Sequence, residues 1–314
     1  MSALDSKTKG QLSLAIAIIA VSGAAIFIRF CSSSAVIIAF WRLFFSVIFL
    51  IPFTLQQEIR AQFRPLFRWK YICLFFLSGF FFSLHFFSWF QSLKYTSVAA
   101  SVIVVNSSPI WVIVLSFLIF NEKISRNQFI GLILVLLGLF FISSMTTPQQ
   151  LDNNFFEGLF LALFGALMFA AYLIIGKQTR SKYNIANIPY VFIVNLACTF
   201  FLFLIALILN EDVFSFHMND IIWFIALAIG PSLLGHALLT YSMKYISAHT
   251  VSMAVIGETI GASILSWLIL REDLLPSTLV GGFFVISGIY LSIKNELSQK
   301  NNHKTIVASD EILD

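Results

Sequence analysis

Ten long apolar runs separated by short polar breaks leave this chain very few folds to choose from. They cover approximately residues 11 to 30, 35 to 55, 70 to 92, 96 to 119, 127 to 144, 157 to 176, 187 to 209, 220 to 242, 248 to 270 and 276 to 293. A hydrocarbon core about 30 Å thick is crossed by roughly 20 helical residues, so each run is long enough for a membrane span or close to it. In lipid a backbone must satisfy its own N–H and C=O groups within the segment, which selects helices. The chain of 314 residues is 59% hydrophobic and 11% charged, with 36 Phe. No soluble core of that length hides so much apolar surface. The expected fold class is all-α integral membrane.

Basic residues give the orientation. Of the 19 Lys and Arg, 15 fall on one side of the ten-span arrangement: Lys7, Lys9, Arg60, Arg64, Arg68, Lys70, Lys123, Arg126, Lys177, Arg180, Lys182, Lys244, Lys294, Lys300 and Lys304. Only Arg29, Lys94 and Arg271 fall on the other, and Arg42 lies inside a span. Basic loops stay cytoplasmic, so the chain is expected in the cytoplasmic (inner) membrane of the cell with both termini in the cytoplasm. This distribution accounts for the formal charge of +4 without nucleic acid as a partner. Lys7 and Lys9 followed by Ser22-Gly23-Ala24 also resemble a signal peptide. The repeat described next argues that the first run is retained.

Residues 93 to 143 align without a gap on residues 243 to 293. Thirteen positions are identical, among them Lys94/Lys244, Tyr95/Tyr245, Val105/Val255, Glu122/Glu272, Gly131/Gly281 and Gly138/Gly288. Five runs precede residue 150 and five follow it. Because five is odd, the second copy is expected upside down relative to the first. The expected architecture is therefore ten transmembrane helices as two inverted five-helix repeats, at 1–148 and 149–293, with a disordered cytoplasmic tail at 294–314. The link from Ser143 to Glu157 reads as an external hinge. Asn154 with Glu157 reads as a helix-capping box, as does Ser125 with Gln128. Inverted repeats characterise secondary transporters, which bind substrate near the midplane between the halves.

No CxxC, HExxH, GxGxxG or phosphate-loop pattern occurs, and Cys31, Cys73 and Cys198 stand apart in apolar runs. No catalytic residue, metal ligand or cofactor is expected. Polar groups at membrane depth are the informative ones, because each must face a partner or a cavity. Arg42 carries a planar fork suited to a carboxylate or phosphate, or it anchors a neighbouring helix. Glu258 lies mid-span between Gly257 and Gly261, which invite close approach of another helix. It is a candidate proton carrier or a structurally hydrogen-bonded carboxyl. Asn106, Ser107 and Pro109 mark a helix break, since Pro109 offers no N–H to the Val105 carbonyl. His85 and Trp89 share a helix face, and His236 and Tyr241 mark the eighth run. Trp111, Tyr172 and Asn195 are candidate cavity walls. Gly131/Gly138 and Gly281/Gly288 are each seven apart, on one helix face, and are read as close-packing surfaces ahead of hinges.

Several of these stretches resemble the EamA-type members of the drug/metabolite transporter superfamily. The resemblance is carried by FWRLFFSVIFLIPF at 40 to 53, SLKYTSVAASVIVVNSSPIW at 92 to 111, FNEKISRNQFIGLILVLLG at 120 to 138, and LLGHALLTYSMKYISAHTVSMAVIGETIGASILSWLILRED at 233 to 273. One position departs: where the second repeat of such proteins has Glu-Pro, this chain has Glu258-Thr259, which removes the reason for a proline kink there. The resemblance implies a ten-helix metabolite transporter, commonly an exporter of amino acids or related compounds.

The function expected is alternating-access transport of a small polar metabolite, with import or exchange as the alternative and a passive channel as the rival class. The expected partners are that small molecule, the lipid bilayer and protons, with the protein acting as a monomer or homodimer. The orientation is directly testable: reporters fused after Lys304 and near Arg64 should both score cytoplasmic, and one near Gln150 external. A cytoplasmic score at Gln150 would contradict the five-plus-five arrangement.

Overall fold

The computed structural model describes residues 6–95, 101, 104–121, 124–143, 155–270, 276, 279–288 and 290–291. Among the described residues the chain is helical, with no strand. Seven helices among the described residues are long and apolar enough to cross a membrane: α1 (Thr8–Arg29), α2 (Ala35–Thr54), α3 (Trp69–Tyr95), α6 (Phe156–Arg180), α7 (Asn187–Ile208), α8 (Asp220–Ser242) and α9 (Ala248–Ile269). Three shorter apolar helices complete the set, α4 (Ser108–Phe120), α5 (Arg126–Gly138) and α10 (Leu279–Gly288). The protein is a multi-pass membrane protein. The Asn154 capping position and the tail from residue 294 lie outside the described residues, as does most of the Ser143–Glu157 link.

The helices form where the apolar runs lie and stop where polar chemistry stops them. Ahead of α5, Ser125 N–H donates to Gln128 Oε1 at 3.1 Å and Gln128 N–H to Ser125 Oγ at 3.3 Å, a reciprocal cap. Asn121 ends α4 in the left-handed conformation, φ 56°, as Asn tolerates. At the mouth of α8, Asp220 is 1% exposed. Its carboxylate accepts the Ser32 and Ser33 N–H groups at 2.8 to 3.0 Å and the Ser33 hydroxyl at 2.6 Å. Those bonds tie the α1–α2 turn to α8.

Helix neighbours follow a regular scheme. α3 packs on α6 and α7, α1 on α8 and α9, α2 on α7 and α8, and α4 on α6 and α9. α5 and α10 meet through glycines. A Cβ at Gly138 would lie 2.6 Å from the Gly281 carbonyl oxygen, and one at Gly288 would lie 2.5 Å from that of Gly131. Only hydrogen fits at either crossing, and Val135 and Val285 fill the space between.

Two helices break near mid-length. Before α4 the chain turns at Asn106–Ser107, where Ser107 N–H reaches back three residues to Val104 O and Ile110 N–H to Ser107 O. Pro109 then occupies the first turn of α4, the position that suits it. α9 breaks at Ile256 with the same three-residue bonding, Ile256 N–H to Met253 O and Thr259 N–H to Ile256 O. The second break forms without a proline. A kink is thus present in α9 although Thr259 stands where the resemblance placed Pro.

Candidate functional site

The two breaks open onto one cavity. It is lined by Val21 of α1, His85 and Trp89 of α3, Val105 and Asn106 ahead of α4, Phe169 of α6, His236 of α8, and Val255 and Glu258 of α9. In this conformation its internal space is small, about 30 Å³, and it is open on one side. The walls mix valines and aromatic rings with a few polar groups, a composition that buries a small organic ligand and orients it.

Each polar group is positioned by its helix. Gly165 lets α6 approach α3 closely enough for His85 Nδ1 to lie 3.0 Å from the Gly165 carbonyl. A carbonyl only accepts, so Nδ1 carries the hydrogen and the neutral ring keeps Nε2 as an acceptor. The His85 ring stacks on Trp89 at 5.7 Å and lies 4.7 Å from Phe169. His236 stands edge-on to Phe82 at 5.0 Å and to Phe86 at 5.6 Å. Asn106 Nδ2 donates to Thr259 Oγ1 at 2.7 Å, which joins the two broken helices where they cross.

Arg42 sits behind this wall and is 1% exposed. Its Nε donates to Ser232 Oγ at 2.7 Å, and its guanidinium carbon lies 4.4 Å over the Phe86 ring. Its two terminal nitrogens have no hydrogen-bond partner among the described residues, nor do Trp89 Nε1, His236 Nδ1 and Ser107 Oγ. Glu258 makes no hydrogen bond to either terminal nitrogen of Arg42 among the described residues. A buried cation with most of its donors idle costs several kcal/mol. Ser232 reaches Arg42 because α8 widens into a π-helical stretch at Ala228–His236, with Pro231 inside it. Such stretches redirect side chains.

Five of the residues singled out from the sequence line the cavity: His85, Trp89, Asn106, His236 and Glu258. The others lie apart from its walls. Tyr172 is stacked flat on Phe82 at 4.1 Å and supports the wall from behind. Asn195 donates to Ser46 Oγ at 2.9 Å, bridging α7 and α2. Trp111 packs half-buried against the core, and Pro109 is buried at the start of α4. Ser107 caps that helix without a side-chain cap bond. Tyr241 accepts from Tyr245 OH at 3.4 Å near the end of α8. Val21, Val105, Phe169, Val255 and Ser232 escaped the sequence reading. Val105 and Val255 had a signal, since they are an identical pair in the repeat and both line the cavity.

One charge sits where charge counting would not put it. Arg180, counted among the residues of the basic side, is 2% exposed, and its Nε donates to the Thr240 carbonyl at 3.3 Å. Beside it Lys177 Nζ donates to the carbonyls of Met243 and Ile246, at 3.1 and 2.8 Å. Both cations are engaged with carbonyls at and just beyond the end of α8, which ties the end of α6 to it.

A cavity with a few polar groups among helices long enough to cross a membrane is the architecture of a membrane transport protein, and the family match gives the class. The description of the EamA-like transporter family matches the chain twice, over residues 8–144 and 156–294, and the chain belongs to that family. It is similar to an uncharacterized transporter of Archaeoglobus fulgidus, 23% identical over 283 residues, covering 90% of this chain and 96% of the relative. An uncharacterized transporter of Clostridium kluyveri is 24% identical over 216 residues, covering 67% of each. A crystal structure described only as that of a protein shares the fold with a TM-score of 0.72, covering 90% of this chain and 95% of that one at 15% identity.

Ser232 offers a test of how Arg42 is held. Losing a hydrogen bond to a charged group costs about 1.5–3 kcal/mol. Ser232→Ala is therefore expected to lower the thermal midpoint, and Ser232→Thr to preserve most of it. An unchanged midpoint in the Ala variant would show that Ser232 does not fix the guanidinium.

Proposed function

We propose that this chain is a secondary transporter that exports a small zwitterionic metabolite, an amino acid or a related compound, by alternating access. The observation that carries the proposal is the pairing of opposite needs around one cavity. Glu258 offers a carboxylate at its wall, while Trp89 Nε1 at the wall and the Arg42 terminal nitrogens behind it are donors without acceptors. A ligand bearing an ammonium and a carboxylate answers both, and the valine and aromatic walls accept its side chain. The outward direction follows the resemblance to EamA-type proteins read from the sequence.

The chain crosses the membrane ten times as two inverted five-helix repeats, with both termini in the cytoplasm. Three features support this arrangement. Exchanging α1–α5 with α6–α10 turns the neighbour scheme into itself: α3 on α6 becomes α8 on α1, and α4 on α6 becomes α9 on α1. The same exchange converts the Gly138–Gly281 crossing into the Gly288–Gly131 crossing. The cavity draws its walls from α1, α3 and the α4 break and from their counterparts α6, α8 and α9. A substrate site between two such halves becomes accessible from either side as one half rocks against the other.

Protons drive the cycle through Glu258. A carboxyl at this depth must find a partner or give up its charge, so its proton and a substrate ammonium compete for the same site. Glu258→Gln keeps the size and hydrogen bonding of the protonated form and cannot titrate. In proteoliposomes offered a mixture of labelled amino acids, this variant is expected to exchange substrate but to lose accumulation driven by a pH gradient. Full gradient-driven accumulation would remove Glu258 as the coupling residue. In the same assay Arg42→Lys, which keeps the charge and loses the fork, is expected to transport poorly at normal protein level.

A further inference from the structure

The link between α2 and α3 carries a feature that neither the cavity nor the helix packing requires. After Thr54 the chain forms a short helix, Gln57–Phe63, then one tight turn, Arg64–Phe67, before α3 begins at Trp69. The link is pinned to the protein from one side. Leu66 is buried, Phe63 meets Phe192 of α7 edge-on at 5.9 Å, and Lys70 Nζ lies 4.4 Å over the Tyr183 ring. Its other side is bare. Arg60, Arg64 and Arg68, spaced four residues apart, are all exposed, and their side chains have no hydrogen bond or ion pair among the described residues. Between and beside them Leu55 is 68% exposed, and Phe67 and Trp69 are each 77% exposed. Glu58 is the one acid in the segment.

The α7–α8 link shows that the fold does not demand this charge. It also exposes large apolar side chains, Phe214 at 69% and Met218 at 76%. Its charged residues are acids, and they are used internally: Glu211 accepts from the Ser34 hydroxyl, and Asp212 Oδ1 from Phe214 N–H at 3.0 Å. The arginines of the α2–α3 link face outward instead. Guanidinium forks match phosphate oxygens in pairs, and Trp beside Arg at a span end is the composition of a membrane–water boundary.

We propose that the link from Gln56 to Lys70 is a docking surface for the phosphate headgroups of anionic phospholipids. Arg60, Arg64 and Arg68 take the phosphates, and Leu55, Phe67 and Trp69 seat in the acyl boundary. Pinning from behind already orders the backbone that carries the three arginines, so less ordering is needed on binding. The surface lies apart from the cavity, so the proposal stands independently of what the protein transports.

The test uses the purified full-length protein in nanodiscs of phosphatidylcholine with and without phosphatidylglycerol. Binding to the folded state alone raises the thermal midpoint, here by on the order of 3 °C. The rise is expected to vanish in Arg60→Gln/Arg64→Gln/Arg68→Gln, and to vanish for the wild type in high salt, which screens exposed charges. An equal rise in the triple variant, or a rise that survives high salt, would overturn the proposal. So would the same rise given by inorganic phosphate in phosphatidylcholine discs, which would assign the arginines to free phosphate. The salt comparison needs only the wild type and decides the matter even if the triple variant does not fold.

Discussion

A guanidinium held out of water with one hydrogen bond and two idle nitrogens is the constraint on which the middle of this protein turns. Arg42 is buried, and its position is set by Ser232 in the π-helical stretch of α8 and by the Phe86 ring beneath its plane. Those contacts draw α2, α3 and α8 together at one level. Phe86 in turn lies against both cavity histidines, at 5.2 Å from His85 and 5.6 Å from His236. A charge left this underused costs several kcal/mol, which an apolar residue of the same volume would not. In the proposed function the partner of this fork arrives with the substrate.

The remainder of the architecture surrounds that charge with helices that are interrupted rather than straight. The two broken helices meet at the Asn106–Thr259 bond, and each is interrupted by three-residue bonding where a straight helix would run on. Free carbonyls and redirected side chains at membrane depth are tolerable only against protein or a cavity. At one end of the bundle Asp220 clasps the α1–α2 turn; at the other, Lys177 and Arg180 clasp the end of α8. α8 is thus tied at both ends and π-helical in the middle.

Much of this was legible in the amino-acid order, for physical reasons that differ by residue. The helices were readable because lipid imposes a length and a polarity on each run. His85, Trp89, Asn106, His236 and Glu258 stood out because polar groups at membrane depth are expensive, and they do line the cavity. Val105 and Val255 were marked by their identity across the repeat, yet apolar coincidences are common in so apolar a chain. The α9 break was not legible, because its usual marker is proline and none is present. Arg180 was not legible either: charge counting sees the cation but not the Thr240 carbonyl that receives it. Tyr172 and Asn195 show the converse limit, since a polar atom can be satisfied by a neighbour one layer behind the wall.

The central claim is that the Arg42 fork awaits a carboxylate. The direct measurement is the thermal midpoint of the purified protein with each proteinogenic amino acid and with the amine left by removing its carboxylate. The account predicts that some amino acids raise the midpoint, that their amines do not, and that Arg42→Gln abolishes the rise. Amines that stabilise as well as their parent amino acids, or a full rise in Arg42→Gln, would contradict it.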